Sequence, residues 1–510
     1  MTRFSFRGTS YWLLGLLWLL SGRGIAQMLP DPPPNPLNHI YSVDQLRSDF
    51  GLVRRALEEA HPGLYRYYPR DSIHRWFDAA LTRIDRPMTE LQFRRAIEPA
   101  IDHIGCGHTD LYASKAFTRF RKRNPLKPFP VDAIVLNNKL YVRENRSTDT
   151  TVRRGNEIVK INGRSAQAVL ERIYAYISSD GYNQTFKPYV INTGSFGSYY
   201  TLAFGADSVA HVLTLRDSTG ATQTLSFRTR PDRIKPRLDS LDKRTIPAGR
   251  PKRKLATETH PDELRSLVFS DRDTTTAILT VTSFSGGGQR PFFKDSFRTL
   301  AAQKRIKNLI IDVRGNLGGN SGTSISLVSY LVDKPFQAYT QVDAPVRQVS
   351  FNEHLGWKFW RFFLRNFFTH RTAEGTYRRT GETGIIKPVR RNGFRGRVFV
   401  LTNGGTFSAA SIFASLTKHN APDRVTVVGR ETGGGEFGCN AFTSPYMTLP
   451  QTGVQLRLPL YKIVLAIPGQ DQGHGLMPDV PVVYTLPAVM AGRDLDMEAV
   501  YDLMKPKTGR

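Results

Sequence analysis

The pattern of apolar and polar positions changes character several times along the chain. Residues 11–20 (YWLLGLLWLL) form one short uninterrupted apolar run. Residues 41–110 then read as helical. In residues 49–60 (DFGLVRRALEEA) apolar side chains recur at helical spacing, and His61-Pro62-Gly63 ends the pattern. Between 128 and 230 short runs such as AIVL, KLYV and HVLTL predict strands, with the turn signal DSTG at 217–220. From about residue 272 strands and helices alternate. TTTAILTVTSF, NLIIDVRG, RVFVLTNG and RVTVVGR predict strands; FFKDSFRTLAAQKRI, SGTSISLVSYLV and SAASIFASLTKH predict helices. Such alternation predicts an α/β fold built on a parallel sheet with crossover helices.

The apolar run at the start changes the expected compartment. Arg3 and Arg7 precede it and Gly24-Ile25-Ala26 follows, the three-part pattern of a secretory signal peptide. Ten apolar residues are too few to span a bilayer. The expectation is an exported mature chain (periplasm, cell envelope or secreted), in which a disulfide is permissible. The full length of 510 residues allows about three domains. Two cysteines exclude a disulfide-dense scaffold and any zinc site made of cysteines alone.

The formal charge is +27, and losing the three arginines of residues 1–26 leaves +24. Residues 115–127, 230–254 and 354–397 carry +22 of that, so the remaining chain is nearly neutral. The charge therefore belongs to three basic segments suited to anionic envelope surfaces or acidic substrates. No nucleic-acid partner is expected. One segment, 355–371 (LGWKFWRFFLRNFFTHR), mixes aromatic and basic residues and suits a lid, a subunit contact, core packing or a membrane surface.

Two strand-to-helix junctions carry candidate chemistry: residues 312–320 (DVRGNLGGN) and 402–411 (TNGGTFSAAS). Glycines let the backbone turn tightly, and a helix start leaves N–H groups unpaired. Side by side they could supply a serine hydroxyl and a pair of N–H donors, the needs of acyl transfer. The P-loop signature is absent. The GGGEFG match at 433–438 is followed by CNAFTSP rather than a helix, which removes its dinucleotide-binding context.

Two resemblances extend this reading. Residues 154–163 (RGNEIVKING) followed by AQAVLERIYAYI resemble the core of PDZ domains. LIIDVRGNLGG followed by TNGGTFSAASIFASL resembles the tail-specific (C-terminal processing) peptidases of family S41, in which a PDZ domain commonly precedes a ClpP/crotonase-like core. The resemblance implies Ser408 as nucleophile, with the N–H of Ala409 and of Gly318 or Gly319 as the oxyanion hole. The lysine of the Ser–Lys branch falls on Gly435, and Lys418 lies too far along the serine helix to reach back. Residues 104–110 (IGCGHTD) instead resemble the Gly-His-Ser/Thr segment of the tricorn-core-like Ser–His branch, which implies His108 as general base ahead of His61 and His474. A histidine suits that role near neutral pH. That branch has a glutamate before a GxGxxPD segment. Here Gln472 stands in its place with Asp471 beside it, and these are the candidate orienting groups. The resemblance also makes a Cys106–Cys439 disulfide a candidate, since both cysteines fall in loops bordering the implied site.

The expected organisation is a signal peptide (1–26), a Pro-rich leader (27–40), an N-terminal helical region (41–127), a PDZ-like domain (128–230), a basic linker (231–265) and an S41-like core (266–510) with a basic aromatic insertion at 348–397. The expected activity is serine-type endopeptidase action on polypeptides, with no metal or organic cofactor. The competing reading is a weakly active or inactive scaffold that binds peptides or apolar ligands at the envelope.

Overall fold

The computed structural model describes residues 35–125, 129–205, 210–228, 264–356 and 368–505. The signal-peptide reading, most of the leader and linker, and the centre of the aromatic segment lie outside these residues.

A six-stranded sheet forms the centre of the larger unit. Its order is Arg265–Phe269, Thr276–Val281, Asn308–Asp312, Arg397–Thr402, Val425–Gly429, Val480–Pro481. The first pair is antiparallel and every other pair parallel. Side chains alternate between two cores, as strand geometry requires. Leu309, Ile311, Val398 and Val400 join the large core, which also holds Phe293 of the helix Gln289–Ala302, Leu327 of the helix Ser321–Val328 and Phe413 of the helix Ala409–Asn420. Ile310, Phe399 and Leu401 face the other way, toward Val500 of the C-terminal helix Leu495–Met504. Strands covered on both faces read as continuous apolar runs, and NLIID and RVFVLT do so.

The helical N-terminal region contains Val43–Ala60, Arg70–Thr82 and Glu90–Asp102. Capping boxes start the first and third, through Ser42 with Gln45 and Thr89 with Gln92. Leu46, Phe50, Val53 and Leu57 lie on the buried side of the first helix and belong to the same hydrophobic core as the central sheet. The strand Asp110–Tyr112 seals that union. It pairs with Gln455–Arg457, which in turn pairs with Tyr446–Thr448.

Residues 129–228 build a separate core on an antiparallel sheet, ordered Val131–Leu136, Lys139–Asn145, Glu157–Ile161, Ala210–Arg216, Thr222–Arg228. Glu157–Ile161 leads through a turn at Asn162-Gly163 into the helix Ala166–Tyr174, the order its sequence predicts. The same unit also holds helical turns at Phe186–Val190, Ile191–Ser195 and Phe196–Phe204, where only β-rich structure was expected. Phe186, Ile191, Phe196 and Tyr200 are buried there, so tertiary packing overrides a run of glycine, serine and aromatic residues with little helical preference. Phe407 belongs to this second core, although its neighbours in sequence belong to the first.

Candidate active site

The two glycine-rich junctions lie against each other. The Asn403 side-chain oxygen accepts from the N–H of Gly405 and of Gly315, both at 2.9 Å. Thr406 Oγ1 donates to the Val313 carbonyl at 3.0 Å, and the Phe407 N–H donates to the Asn316 carbonyl at 3.0 Å. Behind the first loop, the buried Arg314 guanidinium is held by Asp312, Asp494 and Asp496, which fixes the loop to the C-terminal helix.

Ser408 sits between strand and helix with φ 55° and ψ −123°. A non-glycine residue at positive φ carries strain, and such strain accumulates at sites where the fold dictates an otherwise unfavourable geometry. Gly318 explains why the neighbouring loop is glycine-rich. A Cβ there would lie 2.7 Å from Ser408 Cβ and 2.9 Å from the Ala409 nitrogen, and its own φ is +98°.

His108 reaches Ser408 from the other end of the chain. Its Nε2 lies 3.0 Å from Ser408 Oγ. The ring stacks on Phe407, with centroids 4.7 Å apart and planes 26° apart, and Phe407 stacks in turn on Phe186. The histidine is only 2% exposed. Burial, and secondarily the Arg457 charge, lowers its pKa from 6.5 to about 3, so the ring is neutral at physiological pH. A neutral ring with Nε2 facing the hydroxyl can accept a proton from it.

The oxyanion expectation narrows. Ala409 is the first residue of its helix, so its N–H has no intrahelical acceptor. The Gly318 N–H donates to Asn316 Oδ1 at 2.9 Å and is thereby engaged. Gly319 bridges to Phe284 through the Gly318 carbonyl and the Asn320 N–H, which leaves its own N–H out of that bridge. Ser408, His108, Gly318, Gly319, Ala409 and Arg457 line one cleft of about 940 Å³.

Two expectations change, the orienting groups and the disulfide. Asp471 pairs with Arg66 and accepts from the Gly473 N–H, and both Asp471 and Gln472 are exposed. Neither bonds His108, whose buried Nδ1 has no hydrogen-bond partner among the described residues. Cys106 and Cys439 are both buried free thiols rather than a disulfide. Burial raises the Cys106 pKa to about 11 and that of Cys439 further. The rival histidines sit elsewhere: His61 against Thr109 at 2.8 Å, and His474 near Glu431 at 3.4 Å. Lys418 forms an ion pair with Asp479 at 2.7 Å.

Sequence reasoning missed Asp180. One of its oxygens accepts from the Gly107 N–H at 2.8 Å and the other from the Gly435 N–H at 3.3 Å, tying the histidine loop to the loop after the serine helix. A carboxylate oxygen of Asp180, a ring nitrogen of His108 and Cys106 Sγ lie within 4.8 Å of one another, an arrangement that could hold a metal ion. Burial raises the Asp180 pKa to about 6. It lies in an SSDGYN loop with no motif around it, so no local signal marks it.

The comparisons support a serine peptidase of α/β architecture. Residues 275–482 match the family model described as Peptidase family S41. No curated protein sequence matches it. Among solved structures it is similar to mature CPAF, with 15% identity, a TM-score of 0.60, and coverage of 90% of this chain and 96% of that one. Mature CPAF complexed with lactacystin gives 16% identity and a TM-score of 0.61, covering 90% and 98%. At this identity the likeness is one of fold.

Proposed function

We propose that this chain is an exported serine endopeptidase that cleaves polypeptides through a Ser408–His108 pair. The contact between Ser408 Oγ and His108 Nε2, closed between residues 300 apart in sequence, carries the reading. His108 takes the hydroxyl proton as Ser408 attacks the peptide carbonyl. The N–H groups of Ala409 and Gly319 stabilise the oxyanion. His108 then protonates the leaving amine, and water hydrolyses the acyl-enzyme by the same relay in reverse. Asp180, with a carboxylate oxygen within 4.8 Å of a His108 ring nitrogen, replaces Gln472 and Asp471 as the orienting group for the Nδ1–H side of the ring.

The unit at 129–228 is proposed as a PDZ-like holder of the polypeptide beside the cleft, on its strand–turn–helix order. Export rests on the signal pattern of residues 1–26, and the basic segments suit an anionic envelope surface.

A fluorophosphonate probe tests the core of this reading. Labelling is expected in the unsubstituted protein and absent in Ser408→Ala. Equal labelling of the two, or none in either, rejects it.

A further inference from the structure

Behind the His108 ring lies a cluster that a Ser–His hydrolase uses only in part. Cys106 Sγ, a His108 ring nitrogen and an Asp180 oxygen lie within 4.8 Å of one another. All three side chains are buried, at 1%, 2% and 4% exposure. Since Nε2 is on Ser408, the nitrogen free for this cluster is Nδ1, which is buried and has no partner among the described residues. Thiolate, imidazole and carboxylate are the three donor types zinc accepts. Its bonds of about 2.0–2.3 Å place tetrahedral ligand atoms about 3.3–3.8 Å apart. The cluster thus needs a contraction of about 1.5 Å at most from its present limit of 4.8 Å. The flanking chain is glycine-rich, with Gly105, Gly107 and Gly181 beside the three residues.

We propose that Cys106, His108 and Asp180 form an inhibitory zinc site in which the metal takes the Nδ1 lone pair of His108. On binding, the Cys106 thiol releases its proton to solvent. The thiolate, Nδ1 and one Asp180 oxygen replace three waters of the ion. One thiolate and one carboxylate balance the 2+ charge, which a buried ion requires. With Nδ1 committed to the metal, the ring proton sits on Nε2. Nε2–H then donates toward Ser408 Oγ and cannot accept its proton, so the serine is not activated. Metal binding stands on the geometry alone, while its inhibitory effect rests on the peptidase reading.

The test separates the two. Zinc is titrated into the full chain carrying Ser408→Ala against a chromophoric chelator, which reads binding without turnover. One tight zinc per chain is expected, with affinity falling more than about 10-fold in Cys106→Ser and in Cys106→Ala. Cobalt(II) in place of zinc is expected to give a sulfur-to-metal charge-transfer band that both variants lack. Absence of binding at micromolar zinc, affinity unchanged without Cys106, or a cobalt spectrum with no sulfur band overturns the site. If neither variant folds, the cobalt spectrum of the chain with Cys106 decides. In the unsubstituted chain, zinc is expected to slow fluorophosphonate labelling and the chelator to restore it. An unchanged labelling rate at full zinc occupancy overturns the inhibition. Tight Cys106-dependent zinc in a chain that never labels supports the site and rejects the peptidase reading instead.

Discussion

Asp110 and Arg457 are register partners in a three-stranded antiparallel sheet. That pairing brings the histidine loop, two residues upstream of Asp110, onto the core that carries Ser408. It also places Arg457 where its charge is felt by the His108 ring.

The pH profile follows from that placement. His108 titrates at about 3 rather than 6.5, so its base form persists well into acid. Loss of the His108 base itself is expected only below about pH 5, while protonation of the orienting Asp180 near pH 6 gives a separate, earlier fall in kcat/KM. Arg457→Met removes a nearby positive charge and is expected to move the His108 limb upward. Initial rates across pH 4–8 decide it, and a limb near 6.5 that persists in Asp180→Asn contradicts the expectation for His108.

Asp180→Asn keeps the size of the side chain but removes the charge that would orient His108. A fall in kcat of about 10-fold or more is expected with KM little changed, toward the ~10⁴-fold loss of a Ser-His-Asp triad given the wrong tautomer. A change in KM alone argues that Asp180 only shapes the loops it ties together.

The positive φ of Ser408 has a measurable cost. Ser408→Gly is expected to be more stable than Ser408→Ala by about 1 kcal/mol, because glycine alone adopts that geometry freely. Both variants are inactive, so thermal or urea unfolding compares them directly.

Arg314 is a structural cation among Asp312, Asp494 and Asp496. Arg314→Leu leaves three carboxylates without their counter-ion and is expected to destabilise the fold by about 3–5 kcal/mol. Urea unfolding at neutral pH measures this. A loss of less than about 1 kcal/mol, the scale of surface pairs, contradicts it.

His61 governs part of the acid stability. Its pKa falls from 6.5 to about 3 through burial, so the folded chain refuses a proton that the unfolded chain accepts. Stability is therefore full above pH 6.5 and drains as the pH drops toward 3, and His108 adds to the same slope. His61→Gln is expected to flatten the dependence, read from urea midpoints at pH 7 and pH 4.5.

The sheet strands and their helices were legible because burial on both faces leaves long apolar runs between glycine turns. The junction that carries Ser408 was legible for a related reason, its glycines and helix start in fixed order, while Ser408 itself was read through resemblance. His108 was likewise read through resemblance, since no periodicity joins two residues so far apart. The helical turns at Phe186–Phe204 were hidden because long-range contacts of Phe186, Ile191 and Phe196 decide them. Asp180 was hidden for the same reason. Its partners are the N–H groups of Gly107 and Gly435, and a backbone group leaves no trace in a sequence.

The N-terminal helices share one core with a sheet completed only by Val480–Pro481. A chain made from its N-terminus holds its histidine long before its serine, and the strand that brings them together, Gln455–Arg457, comes later still. The contact between Ser408 and His108 therefore forms only once Gln455–Arg457 has been made.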